Sequence, residues 1–224
     1  MYKRQAELAI TVTGIAPQAV NDTGAVNENA TLTVNAASGV IGNDDDNASY
    51  DSESLAVTSI VSMSTSNSGN AAAAITGTYG VLTMAADGSY SYVANTAAAE
   101  ALDADDEVTD VFTYTLKDDA DVNSSTATLT ITVTGVDDDP AGVNDTGAVN
   151  EDKTLTVSTG NGVLSNDTDA DDSSSISVSA ISGGTVGQAK NGTYGVLTLN
   201  ANGSYAYVAN GRSEDGLAAG ATAT

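Results

Sequence analysis

The sequence reads as an all-β chain of two consecutive β-sandwich repeats, and three observations carry that reading. Whole phrases recur at a spacing close to the size of one small domain, apolar and polar residues alternate with a period of two, and no stretch carries a helical stripe. Asn21-Asp-Thr-Gly-Ala-Val-Asn-Glu28 returns unchanged at 144–151, an offset of 144 minus 21, or 123 residues. Gly77-Thr-Tyr-Gly-Val-Leu-Thr-Met84 returns at 192–199, and Gly88-Ser-Tyr-Ser-Tyr-Val-Ala-Asn95 at 203–210, where the offset is 203 minus 88, or 115. The residues missing from the second copy fall mostly around 62–75, where Ala, Ser and Asn dominate and a surface loop is expected. With 224 residues the chain has room for two domains of about 100 residues each.

Taken in order, the elements divide the chain further. Leu8-Ala-Ile-Thr-Val-Thr-Gly14 parallels Leu129-Thr-Ile-Thr-Val-Thr-Gly135, so residues 1–14 are expected to be the last strand of a preceding repeat. Residues 15–135 then form a complete sandwich. Residues 136–224 form a second repeat truncated before its last two strands, the counterparts of 110–117 and 127–134. Within the complete repeat a first strand lies before Glu28, and six more are expected near 31–35, 54–62, 78–85, 89–94, 111–117 and 127–134. In the last of these Leu129, Ile131 and Val133 face one way and the intervening threonines the other, the pattern of a half-buried antiparallel strand. Phe112, Tyr114 and Leu116 repeat it. Asp87-Gly88, like Asn202-Gly203, signals a hairpin with a type I′ turn. Seven short strands in about 120 residues point to a sandwich of immunoglobulin type, with strand order left open.

Composition narrows the function. Six Lys and Arg face 30 Asp and Glu, a formal charge of -24, so a nucleic-acid partner is excluded for want of a basic footprint. Disorder is excluded as well, because apolar residues make up 41% of the chain and alternate in strands. Cys and His are both absent, which removes disulfides, zinc sites, thiol nucleophiles and the usual general base. Carboxylate, amide and carbonyl oxygens remain, and these suit hard cations, calcium above all. No apolar run is long enough to span a bilayer, and the basic start at residues 1–5 lacks the apolar run of an ordinary export signal.

The motifs resemble the bacterial cadherin-like repeats, specifically the VCBS-type units of RTX-like surface adhesins. The matching phrases are Ala19-Val-Asn-Asp22, Gly162-Val-Leu-Ser-Asn-Asp-Thr-Asp169, Gly77-Thr-Tyr-Gly-Val-Leu-Thr83, Asp87-Gly-Ser-Tyr-Ser-Tyr92, Asp110-Val-Phe-Thr-Tyr-Thr115 and 128–135, which together cover nearly the whole chain. The resemblance implies extracellular tandem modules on a cell surface or in a secreted filament, exported by type I secretion, that act as calcium-stiffened stalks. Their partners would be neighbouring repeats or identical chains. Any glycan or host receptor would be engaged by domains outside this sequence.

The acids have a place on such a fold. If each strand runs from one pole of the sandwich to the other, the turn after the first strand and the loop before the sixth reach the same pole. That gathers Glu28 with Asp103, Asp105, Asp106 and Glu107, beside the linker acids Asp137, Asp138 and Asp139. The second repeat offers Asp167, Asp169 and Asp171, in the loop after its second strand, at its near pole. Calcium takes six to eight oxygens, more than one loop supplies, and so many like charges repel without a cation. The layout also resembles the calcium junction of cadherins, with Asp167-Thr-Asp169 matching their Asp-x-Asp loop and Asp139 standing where an Asn is usual. A single Asp in a turn is more often turn chemistry than a ligand; the clustering favours the metal.

The first linker, Gly14-Ile-Ala-Pro-Gln-Ala-Val-Asn-Asp22, is the contrast: it is two residues shorter before its proline and has no acid before Asn21. Asp44 and Asp46, with Asp118, Asp119 and Asp121, form a weaker second cluster able to hold a cation locally. Tyr79, Tyr90, Tyr92 and Tyr114 read as core or sheet-face packing rather than a sugar platform. The leading function is therefore a non-enzymatic, calcium-stiffened stalk of a surface adhesin or filament. Its rivals are a fibre subunit in which a strand such as 8–13 completes a neighbour's truncated sandwich, and a carbohydrate-binding module.

Overall fold

The computed structural model describes residues 8–10, 15–46, 54–119, 122–171, 175–210 and 221–222, and the chain divides into two compact units, Met1–Val136 and Asp137–Thr224. Unit 1 is a β-sandwich. Its strands are β1 (Asp22–Asn27), β2 (Thr31–Val34), β3 (Ala56–Ser62), β4 (Ser68–Asn70), β5 (Ala74–Thr76), β6 (Val81–Met84), β7 (Tyr90–Val93), β8 (Glu107–Lys117) and β9 (Ala127–Thr134). They form one sheet in the order β1-β9-β8-β3-β4 and another in the order β2-β7-β6-β5.

Alternation decides which faces meet. On β8 the buried residues are Asp110, Phe112, Tyr114 and Leu116, and on β9 they are Ala127, Leu129, Ile131 and Val133. Opposite them lie Leu82, Met84, Tyr90 and Tyr92. The rings of Tyr92 and Phe112 meet edge-on, with centroids 6.1 Å apart. Burying each such side chain is worth roughly 1.5–3 kcal/mol, so this face holds the sandwich together. β1 runs parallel to β9, with Asp22 opposite Leu129 and Gly24 opposite Ile131, while β8 runs antiparallel to β9. The turn after β1, the end of β9 and the start of β8 therefore share one pole of unit 1. The chain approaches β1 at the other pole, where Gln18 pairs with Asp45.

Four expectations about local structure need correction. The segment 62–75 contains β4 and the start of β5: β4 pairs with β3 and β5 with β6. The turn between β3 and β4 is held by Thr65 Oγ1 and Asn67 Nδ2, which both donate to the Thr76 carbonyl at 2.6 and 3.0 Å. Ser, Gly and Asn show no apolar alternation, so the hairpin is invisible to a period-two reading. The fourth strand starts at Val81 rather than 78, because the backbone N–H groups of Thr78 and Tyr79 go to the Asp110 carboxylate instead of a ladder. The sixth begins at Glu107, paired with Thr134, rather than at 111. The turn at Asp87-Gly88 is not type I′, since Gly88 has φ of 81° and Asp87 is not in the left-handed region. The Asp87 carboxylate accepts from Ser89 N and Oγ instead, at 3.0 and 2.6 Å.

Unit 2 repeats one of the two sheets. Strands β10 (Thr154–Val157), β11 (Ala189–Asn191), β12 (Val196–Leu199) and β13 (Tyr205–Val208) pair in the order β10-β13-β12-β11, the same arrangement as β2-β7-β6-β5. Its apolar residues are less covered. Leu197, Leu199, Tyr205 and Tyr207 are half-buried, whereas Leu82, Met84, Tyr90 and Tyr92 of unit 1 are buried. Residues 144–150, identical in sequence to 21–27, carry no strand. Of the strand expected at 8–14, residues 8–10 lie in no strand, and 11–14 fall outside the described residues.

Candidate functional site

The acids of unit 1 that the sequence placed at one pole do converge in backbone. Glu28 sits in the tight turn after β1, where Asn29 takes φ of 59°, and it is 2% exposed. Its backbone N–H donates to Thr134 O at 2.9 Å, and its Oε1 accepts from Val136 N at 2.5 Å. The loop before β8 fastens to the same place. Asp105 N donates to Gly135 O at 3.2 Å, Gly135 N to Asp106 O at 2.8 Å, and Asp106 N to Asp103 O at 3.0 Å. Asp105 takes φ of 68° to make that loop. Gly135 is required here, since a Cβ would lie 2.1 Å from the Asp103 carbonyl oxygen. Glu107 opens β8 instead of lying in the loop. Asp105, Asp106 and Glu107 are exposed and Asp103 half-buried.

Unit 2 ties its own acids to the segment that follows residue 136. Asp171, 4% exposed, accepts the Asp138 backbone N–H on Oδ2 at 3.1 Å. Its own N–H goes to Asp169 Oδ1 at 3.2 Å. Asp167 Oδ1 accepts from Val143 N at 2.7 Å, and Ala141 and Thr168 exchange backbone hydrogen bonds at 2.8 and 3.1 Å. Asp137 and Asp139 are exposed and Asp138 half-buried. Among the described residues no group of three acidic side chains is close enough, as placed, to hold a metal ion. Within each unit, hydrogen bonds from backbone N–H groups to these carboxylates gather the segments.

The opposite pole of unit 1 holds the second cluster. Asp44 Oδ1 accepts from Val20 N at 2.7 Å, the equivalent of the Asp167 to Val143 contact, while its Oδ2 is buried without a hydrogen-bond partner. Burial pushes the Asp44 carboxyl up to about 6, opposed by the Val20 hydrogen bond and assisted by repulsion from Asp22. Asp22 is raised too, by burial, against the lowering effect of hydrogen bonds from Tyr114 and Asn43. The Tyr114 hydroxyl faces Asp22 Oδ2 at 2.7 Å, Val20 O at 2.8 Å and Val40 O at 3.3 Å, and burial holds its pKa far above the ordinary tyrosine value. Asp118 is spent on a turn, its Oδ1 accepting from Val122 N at 2.7 Å. Asp46 is half-buried, Asp119 is exposed, and Asp121 lies outside the described residues.

Sequence reasoning passed over two acids. Asp110 is 1% exposed and accepts three hydrogen bonds, from Thr78 N at 2.8 Å, Tyr79 N at 3.0 Å and the Tyr92 hydroxyl at 2.7 Å. Its signal was available: it occupies the inward phase of Asp110-Val-Phe-Thr-Tyr, where a carboxylate demands partners. Asp22, beside Asp44, was visible only as part of a repeated phrase. Tyr90, Tyr92 and Tyr114 are buried, and Tyr79 packs half-buried against the same core.

A family model described as the bacterial cadherin-like domain matches residues 15–135 and 137–224. No curated protein matches the chain. Among solved structures the chain is similar to the crystal structure of a protocadherin GammaB4 extracellular domain. That similarity is at 14% identity and a TM-score of 0.40, over 93% of this chain and 30% of that one.

Proposed function

The chain belongs to the bacterial cadherin-like domain family, and from that premise we propose that it is a non-enzymatic extender module of a bacterial surface adhesin of the RTX, VCBS-bearing type. Its repeats are stiffened by calcium outside the cell. Domains of this family suit an extracellular adhesion or extender role, and no helix among the described residues is long and apolar enough to cross a membrane. The observation that carries the reading is the anchoring of a buried acid in each unit to the backbone of the linker, at two residues separated only by Asp137. In unit 1 Glu28 holds the N–H of Val136, and in unit 2 Asp171 holds the N–H of Asp138.

On this reading the calcium ligands are drawn from Glu28, Asp103, Asp105, Asp106 and Glu107 with Asp137, Asp138 and Asp139, and from Asp167, Asp169 and Asp171. Calcium needs six to eight oxygens at about 2.3–2.6 Å, more than one loop supplies, so on this reading several of these segments contribute to each ion. Binding neutralises part of the formal charge of -24 and restricts the angle the linker can take. The first linker differs in kind. Ala48 stands where Asp171 stands in the second repeat, and no acid lies between Gly14 and Asn21, so stiffening there is weaker or absent.

Calorimetric titration of calcium into the chain, and into a variant with Asp137, Asp138 and Asp139 changed to Asn, tests the proposal. The triple variant should lose at least one calcium and most of the affinity. Equal stoichiometry and affinity in the two proteins would sink it.

A further inference from the structure

One face of unit 1 departs from the charge of the rest of the chain. On β8 every second residue from Asp110 on is buried, and the positions in the opposite phase, from Glu107 to Lys117, turn outward. The outward positions of β9 are all threonine, at 128, 130, 132 and 134. β1 and β3 extend the same surface, with Thr23 beside Thr130, Ala25 beside Thr132, Val61 beside Thr113 and Ser59 beside Thr115. In a chain with 30 Asp and Glu, the outward positions of these four strands hold a single acid, Glu107, and a single base, Lys117, at opposite ends of β8. Between those ends the surface turns apolar. Val61 is 37% exposed and Met63, just past β3, is 63% exposed, and Met63 N donates to Val111 O at 2.9 Å. The preference of threonine for strands explains the hydroxyls. It explains neither the exposed Met63 beside Val61 nor the placing of the two charges.

We propose that this face packs on the same face of a second copy of the chain, about a two-fold axis that crosses the strands at the level of Phe112. Molecules of formal charge -24 repel each other, so two copies meet best through a face that carries no net charge. The two charged ends of β8 set the direction of the axis. An axis along the strands would stack Glu107 of one copy on Glu107 of the other. An axis across them turns the two β8 strands antiparallel and carries Glu107 of each copy over Lys117 of the other, because 107 and 117 are equally far from 112. The same operation gathers Val61 and Met63 of both copies at the centre. Sheets packed face to face lie about 10 Å apart with their strands about 30° from alignment. Four strands at about 4.8 Å spacing and about 30 Å of length offer about 600 Å² per copy. The total of about 1,200 Å² is at the low end of specific interfaces, so the dimer is a weak and reversible one.

Sedimentation equilibrium of the full chain over a range of concentrations, in chelator so that calcium effects are separate, reads the association. A monomer–dimer equilibrium that stops at the dimer is expected, because an isologous contact closes on itself. Met63→Asp, at an exposed position, should weaken the dimer about tenfold. Lys117→Glu should weaken it several-fold, and adding Glu107→Lys to the same chain should restore it. These two residues stand about 33 Å apart along β8, so neither change repairs the other within one molecule. A monomer at every concentration, oligomers growing beyond the dimer, a dimer indifferent to Met63→Asp or to Lys117→Glu, or a Lys117→Glu loss that Glu107→Lys leaves in place would each overturn the proposal.

Discussion

Glu28 and Glu151 end identical octapeptides, yet Glu28 is 2% exposed and Glu151 is exposed to solvent. In the first unit the residues before it make a strand, and in the second they do not. Their intrinsic preferences are the same, so the strand exists because β9 lies beside it, and the buried turn exists because β9 ends there. β-propensity is a statement about neighbours more than about a residue. The sheets tell the same story: one four-stranded order, built twice, packs against a second sheet in unit 1, and among the described residues of unit 2 its apolar side chains are only half-buried.

The largest test of that contrast uses matched core residues. Leu82 is fully buried and its counterpart Leu197 is half-buried. Leu82→Ala should cost about 2–5 kcal/mol in urea denaturation, as large-to-small changes in closed cores do, and Leu197→Ala under about 1 kcal/mol. Equal costs would mean that the face of unit 2 is covered.

Asp110 comes next. Asp110→Ala leaves two backbone donors and the Tyr92 hydroxyl without their acceptor, and should destabilise unit 1 by about 3 kcal/mol without changing calcium affinity. A loss of calcium binding with little loss of stability would reassign it as a ligand.

Glu28 and Glu151 sharpen the comparison directly. Without calcium, Glu28→Ala frees the Val136 N–H and should cost about 1–3 kcal/mol, while Glu151→Ala should stay within about 0.5 kcal/mol. Thermal melts of both variants in chelator decide it.

The smallest effect is a pH dependence. The folded Asp44 carboxyl lies near 6, above its unfolded value of about 3.9, so its charged form is a penalty above pH 6. That penalty fades as pH falls through 6 toward 4. Relative to Asp44→Asn, the parent protein should therefore gain stability across that window, by under about 1 kcal/mol because water screens a partly exposed group. A gap between the two proteins that stays constant from pH 7 to 4 would contradict the assignment.

How much of this was legible follows from where the information sits. β8 and β9 announce themselves because nearly every inward position is apolar, and the gathering of Glu28 with residues 103–106 follows from strand direction alone. β4 was hidden because Ser, Gly and Asn pair through backbone without an apolar stripe, and β5 because Ala-Ile-Thr is too short to show one. Asp110 was readable in principle, as a charge in phase with Phe112 and Tyr114. The different state of residues 144–151 was not readable from the octapeptide itself, since no local feature distinguishes them from 21–28; it shows only when the strand that pairs with 22–27 is considered. The approach of one carboxylate to another depends on rotamers and on the ion itself, which the order of residues does not encode.

The central claim is stiffening by calcium, and the distance distribution between one spin label on each unit tests it most directly. Labels on exposed β-strand positions, read by pulsed electron resonance in chelator and in calcium, should give a broad distribution that narrows to one peak when calcium is added. The same distribution in both conditions would contradict the account.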